Sequence, residues 1–131
     1  MIALDTNVLL RLLLNDDAAQ ARKARHAVEA VEAAGEQVLL NDIVLAEAVW
    51  TLHGKYDTGK NELLRMLRAV LGTASFAFES RPVLTTALAL YEGSAADFPD
   101  SLIAAKNAAA GCSHTATFDR AMRGLPAVKV L

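Results

Sequence analysis

Five short runs of apolar or alternating residues, at 2–4, 37–40, 75–78, 112–117 and 128–131, are separated by stretches with helical periodicity. That alternation constrains the fold more than any other feature of the chain. Strands linked through helices pair in parallel, and the helices then cover the faces of the sheet. The expectation is an α/β chain: a three-layer α/β/α sandwich with a central, mostly parallel sheet of about five strands. Residues 2–4 read as a buried strand ending at Asp5.

Local signals punctuate the helices. Asn7 is expected to cap a helix that starts near Val8 and carries Leu9, Leu10, Leu12 and Leu13. Asp16 and Asp17 cap an Ala-rich helix over 18–34, which Gly35 ends. Asn41-Asp42 opens a helix from Ile43 to about Tyr56, and Asp57-Thr58-Gly59 is a turn. The next helix spans 60–72, with a stripe of Leu63, Leu64, Met66, Leu67 and Val70. Pro82 lies just inside another, which runs to about Glu92. Asp97-Phe98-Pro99-Asp100 opens a helix that Gly111 ends, and Asp119 begins a short helical turn stopped by Gly124-Leu125-Pro126. No linker, repeat or low-complexity segment intervenes, so residues 1–131 are expected to form one domain.

Composition bounds the function. A hydrophobic fraction of 53% excludes a disordered chain. No apolar run reaches the ~18 residues of a membrane span, and Asp5 stands where the apolar core of a secretion signal would fall. A cytoplasmic location with no membrane partner is expected. Cys112 is the only cysteine, so an intrachain disulfide and a Cys-based zinc site are excluded; His26, His53 and His114 fit no metal spacing. The formal net charge of −2 argues at first against a nucleic-acid partner. If four of the acids share one pocket, the remainder of the chain is net positive, so charge neither supports nor excludes RNA.

In an open parallel sheet, ligands bind outside the carboxyl ends of the strands. Asp5 ends the first strand. Glu47 lies in the second turn of the helix after the second strand. Asp100 lies in the first turn of the helix containing Pro99, and Asp119 follows the fourth strand by two residues. The fold is expected to bring these four together. Taken singly, Asp16, Asp42, Asp97, Asp100 and Asp119 also read as ordinary helix caps, each worth about 0.5–2 kcal/mol. Glu47 does not. It shares a helix face with Ile43 and Trp50, a face expected to point inward, and no Lys or Arg stands three or four positions away. A buried carboxylate needs a counter-charge. Oxygen-only ligands select hard cations such as Mg²⁺ or Mn²⁺, which suit phosphodiester cleavage. Asp5, Glu47, Asp100 and Asp119 are therefore the candidate catalytic and metal-holding residues.

Four segments carry a family resemblance. The opening Met1-Ile2-Ala3-Leu4-Asp5-Thr6-Asn7-Val8-Leu9-Leu10 resembles that of PIN-domain proteins. Val44-Leu45-Ala46-Glu47-Ala48-Val49-Trp50 is similar to their second motif. Asp97-Phe98-Pro99-Asp100-Ser101-Leu102-Ile103-Ala104-Ala105 looks like their third, and Thr117-Phe118-Asp119-Arg120 like their fourth. One tripeptide of this set would be a weak signal; all four in order along essentially the whole chain is a specific one. PIN proteins of this length resemble VapC toxins. That resemblance implies an Mg²⁺- or Mn²⁺-dependent endoribonuclease, an RNA substrate, a VapB-type antitoxin that holds it inactive, and a homodimer as the basic unit. By position Asp5, Glu47, Asp100 and Asp119 match the family's acids, Asp97 an additional acid, and Asn7 and Thr117 polar residues that support the site. Pro99 departs from the small residue common there and suits a first helical turn.

Other features are weaker. Trp50 reads as core. Arg11, Arg120 and Arg123 could contact phosphates or stay solvated, and Arg22, Lys23 and Arg25 read as a solvated helix face. The helices over 8–14 and 43–56 are expected to offer surplus apolar surface, Leu9 to Leu14 above all, to another chain. Among competing readings, a phosphatase of the haloacid-dehalogenase type needs a second Asp two residues after the first; Asn7 stands there and cannot transfer protons. A response-regulator receiver needs an Asp after its third strand, where this chain has Glu79-Ser80. A PIN nuclease that is not a toxin, and a catalytically silent PIN binding module, stay open.

Overall fold

In a computed structural model describing residues 1–131, β1 (Ile2–Ala3), β2 (Val38–Leu40) and β3 (Phe76–Phe78) form a parallel ladder in the order β1-β2-β3. Ile2 pairs with Val38, and Val38 with Phe76. A second parallel pair joins β4 (Thr115–Thr117) to β5 (Val128–Val130), with Thr115 opposite Val128. The α/β class and five strands, each paired in parallel with its neighbour, agree with the sequence; the ladders divide three and two. The chain packs as two compact units, Met1–Glu79 and Ser80–Leu131.

In the first unit the helices are α1 (Thr6–Leu13), α2 (Ala18–Ala33), α3 (Asp42–Gly54) and α4 (Lys60–Leu71). α1 packs on both α2 and α3. The expected buried first strand is corrected: Ile2 is 40% exposed and Ala3 is exposed, and only Leu4 is buried. β1 has a single neighbour in its ladder, so its strand positions stay open to solvent. The cap is corrected too. Asp5, in extended conformation, accepts the Val8 amide at 3.0 Å, so α1 starts at Thr6 and Asn7 lies inside it.

α1 hides more of its leucines than expected. Leu9 and Leu10 are 1% and 3% exposed, and Leu12, Leu13 and Leu14 are half-buried. The domain's own core takes this helix up. Asp17 and Asn41 cap α2 and α3 through the Gln20 and Val44 amides. At the end of α2, Gly35 takes φ +70°, its amide bonding Glu32 and the Glu36 amide bonding Val31. That closure needs a left-handed residue, which glycine adopts without a Cβ clash. α4 buries Leu63, Leu64, Leu67 and Val70, the stripe the spacing predicts.

On α3 the face is right and its direction is not. Val44, Leu45, Ala48, Val49 and Leu52 are buried, while Ile43, Glu47 and Trp50 share the opposite, solvent-facing side. Ile43 is 68% and Trp50 73% exposed, so Trp50 is not core and Glu47 is not buried. α3 is apolar almost all round, and the wider buried stripe captured the core.

The second unit holds α5 (Arg81–Gly93), α6 (Phe98–Ala109) and a 3₁₀ turn (Arg120–Gly124) beside the β4–β5 pair. α5 and α6 pack together, with Tyr91 edge-on to Phe98 at 6.0 Å between ring centroids. Ala96, Ala104, Met122 and Leu125 form a further core cluster, with Leu90 and Val128 against it. No helix is long and apolar enough to cross a membrane.

Candidate active site

The parallel register of the three-stranded ladder sets out one group of candidate residues. Continuing the pairing by one residue beyond Leu40 and Phe78 puts Asp5, Asn41 and Glu79 level at the carboxyl edge. Each is engaged with a helix start. Asp5 Oδ1 accepts the Val8 amide, Asn41 Oδ1 accepts the Val44 amide at 2.9 Å, and Glu79 Oε2 accepts the Asp42 amide at 2.6 Å. Thr6, beside Asp5, donates its hydroxyl to Glu47 Oε1 at 3.3 Å. Asp5 and Glu47 are thus linked through one threonine, both exposed to solvent. Glu47 is an accessible carboxylate rather than an interior charge.

Beside Asp5, a cleft of about 340 Å³ lies between α1 and α2, lined by Asp5, Asn7, Val8, Arg11, Gln20, Lys23, Ala24 and Ala27. Arg11 is held in place there. Its Nη1 donates to both oxygens of Asp16, at 2.9 and 3.1 Å, and its Nε to Gln20 at 2.7 Å. Tyr56 donates to Asp16 as well, at 3.0 Å. Desolvation raises the Asp16 carboxyl, but the Tyr56 hydroxyl and the Arg11 charge outweigh it and hold Asp16 below its ordinary value. Arg11 is therefore committed to a structural pair.

The second unit gathers three acids. Asp97 caps α6, its Oδ1 accepting the Asp100 amide at 2.8 Å, and its carbonyl accepts the fully buried Ser101 hydroxyl at 2.8 Å. Asp119 caps the 3₁₀ turn through the Ala121 amide at 2.9 Å, and its own amide donates to Thr117 Oγ1 at 3.0 Å. Asp100 is half-buried between these acids. Burial first, then the negative charges of Asp97 and Asp119 and hydrogen bonds to both, push its carboxyl up to about 6. A carboxyl hydrogen-bonded to carboxylates needs the proton, so each neighbour favours the neutral form.

Two groups of sequence-derived residues therefore stand together: Asp97, Asp100, Thr117 and Asp119 in one unit, and Asp5 and Glu47 in the other, with Asn7 lining the cleft beside Asp5. Thr6 and Glu79 were missed. Glu79 directly follows a strand, the same signal that marks Asp5. Thr6 carried no signal, because its link to Glu47 is made across the fold.

These residues fit a hard divalent cation in their chemistry. No three acids, histidines or cysteines close into a finished ligand shell. The donors are all oxygens, and Asp100 is an anion destabilised by its neighbours. A site of this kind gains from an added positive charge.

The family model described as PIN domain matches residues 2–128. A comparison with curated proteins finds no match. Among solved structures, one described as a toxin-antitoxin complex from Klebsiella pneumoniae is similar at 23% identity and a TM-score of 0.38, covering 98% of this chain and 95% of that one.

Proposed function

The chain belongs to the PIN-domain family, whose members are in general nucleases that use divalent metal ions, and on that premise we propose that residues 1–131 act as one Mg²⁺- or Mn²⁺-dependent endoribonuclease domain. Asp5, Glu47, Asp100 and Asp119 are the acids assigned to the reaction. The observation that carries this reading is the Asp97–Asp100–Asp119 cluster, where burial first and then like charge raise the Asp100 carboxyl to about 6. A cluster that opposes its own ionisation destabilises the fold unless a cation or a proton is to be received there.

The chain's residues orient the reacting groups. Capping bonds fix the Asp5 and Asp119 carboxylates by one oxygen each. Thr6 fixes Glu47. Thr117 holds the backbone of Asp119, and Asp97 holds that of Asp100. Asp5 and Glu47 in one unit and Asp100 and Asp119 in the other are the acids we assign to metal binding, and bound metal would supply positive charge for the scissile phosphate and for an attacking water. Asn7, which lines the cleft beside Asp5, offers a side-chain amide for hydrogen bonding to substrate.

Purified chain is expected to cleave single-stranded RNA in Mg²⁺ or Mn²⁺ and to lose that activity in EDTA. Asp5→Asn is expected to abolish cleavage with the fold intact by circular dichroism. Cleavage that persists in EDTA overturns the reading.

The VapC-like resemblance extends the proposal to a toxin restrained by a VapB-like antitoxin, and to a homodimer. Expression of the chain alone is then expected to arrest growth, and co-expression of the neighbouring gene product to restore it. Harmless expression of an active chain would assign a non-toxin nuclease instead.

A further inference from the structure

The cleft beside Asp5 does not end at Lys23. A second cleft of about 430 Å³ is lined by Arg22, Lys23, His26 and Ala27. Lys23 and Ala27 line both, so the two form one continuous path along α2. Its floor is low, because Ala24 and Ala27 add almost no bulk between α1 and α2.

The charge along this path is not explained by the fold. Arg22 and Lys23 are exposed and enter none of the ion pairs, and neither has an acid three or four positions away on the helix. Arg22 instead sits three residues before Arg25, which sets like charges side by side. Arg25 differs, with Glu29 four positions on. Arg11, the remaining cation of the first cleft, is held by Asp16. His26 has Glu29 three positions on, so the cations on the path with no acid neighbour on the helix are Lys23 and Arg22, with the His26 ring beside them.

We propose that this path is a backbone-binding track for single-stranded RNA, in which Lys23 takes the phosphate nearest Asp5 and Arg22 and His26 take the next. The proposal rests on the nuclease reading for the assignment of Asp5 to the reactive end. Two clefts in series, each of a size that suits a small ligand, match a repeating polyanion. Lys23 and His26 lie three residues apart, about 4.5 Å along the helix axis, so both project from one face of α2. Contacts of this type carry no sequence preference, so the track sets affinity and direction rather than cleavage site. An acidic peptide is the competing occupant, and it would use the same cations without the small-residue floor.

The test is binding of a fluorescein-labelled single-stranded RNA to the full chain in EDTA, where affinity is read without cleavage. The double variant Arg22→Gln/Lys23→Gln is expected to bind about tenfold or more weakly at low salt. Its log–log salt dependence should flatten by roughly 1.4, two contacts at about 0.7 each. Arg25→Gln, which removes one charge from the same helix outside the clefts, is expected to stay near wild type. An unchanged affinity and slope in the double variant, an equal loss in Arg25→Gln, or no RNA binding by wild type in EDTA overturns the track. Loss of poly-glutamate binding with RNA binding intact assigns the patch to an acidic partner and also overturns it. The two readings separate cleanly. A chain that binds RNA through Lys23 but cleaves none in Mg²⁺ or Mn²⁺ sinks the nuclease alone; an active chain indifferent to the double variant sinks the track alone.

Discussion

Thr6 donates its hydroxyl to Glu47 Oε1 at 3.3 Å, joining residues 41 positions apart in the chain. The bond couples the first residue of α1, next to Asp5, to the exposed face of α3. A hydrogen bond of this kind contributes about 0.5–1.5 kcal/mol, which corresponds to roughly 2- to 10-fold in a rate. Thr6→Val is expected to slow single-turnover RNA cleavage by that factor, and Thr6→Ser to restore it. Glu47→Gln should remove nearly all activity. Wild-type cleavage by Thr6→Val would show that this bond does not position Glu47.

Asp100 makes stability depend on pH. Its carboxyl is raised from 3.8 to about 6 by burial and by Asp97 and Asp119. Between those values the folded chain keeps a proton that the unfolded chain has lost, so stability falls as pH rises through the window and the penalty is full above it. With solvent screening the penalty is on the order of 1 kcal/mol. In EDTA, Asp100→Asn is expected to melt higher than wild type at pH 7.5, and the gap should close near pH 4. Adding Mg²⁺ should then stabilise wild type more than the variant. Equal melting curves at pH 7.5 would count against charge crowding at Asp100.

Ile43 and Trp50 place two large apolar side chains in solvent on one face of α3. Exposed apolar patches mark interfaces, and the proposed homodimer gives this one an occupant. Trp50→Glu is expected to shift a dimer to the 13.9 kDa monomer in light scattering. A variant that keeps the dimer mass places the interface elsewhere. Leu10→Lys is not an equivalent probe, because Leu10 is 3% exposed and a charge there would break the core.

Gly35 isolates a backbone effect. A Cβ there would meet nothing within 4 Å, yet φ is +70°. Gly35→Ala is expected to lower unfolding free energy by about 1–2 kcal/mol in urea titration, with cleavage unchanged. A stability equal to wild type would mean that the turn relaxes without cost.

The residue pattern by itself determined the α/β class and most helix starts. Strand and helix periods are local, and caps such as Asp17, Asn41, Asp97 and Asp119 bond amides only two or three positions on. It also placed Asp5 at the sheet's carboxyl edge, because an acid that follows a strand falls there, although the same signal at Glu79 went unread. The direction of α3 was beyond its reach. Periodicity groups Ile43, Glu47 and Trp50 on one side of a helix that is apolar almost all round, but only the packing of Val44, Leu45, Ala48, Val49 and Leu52 against the core turned that side to water. The raised carboxyl of Asp100 is likewise a tertiary property. A residue's charge is written in the sequence, but the energy of holding it depends on which distant acid, here Asp119, the fold sets beside it.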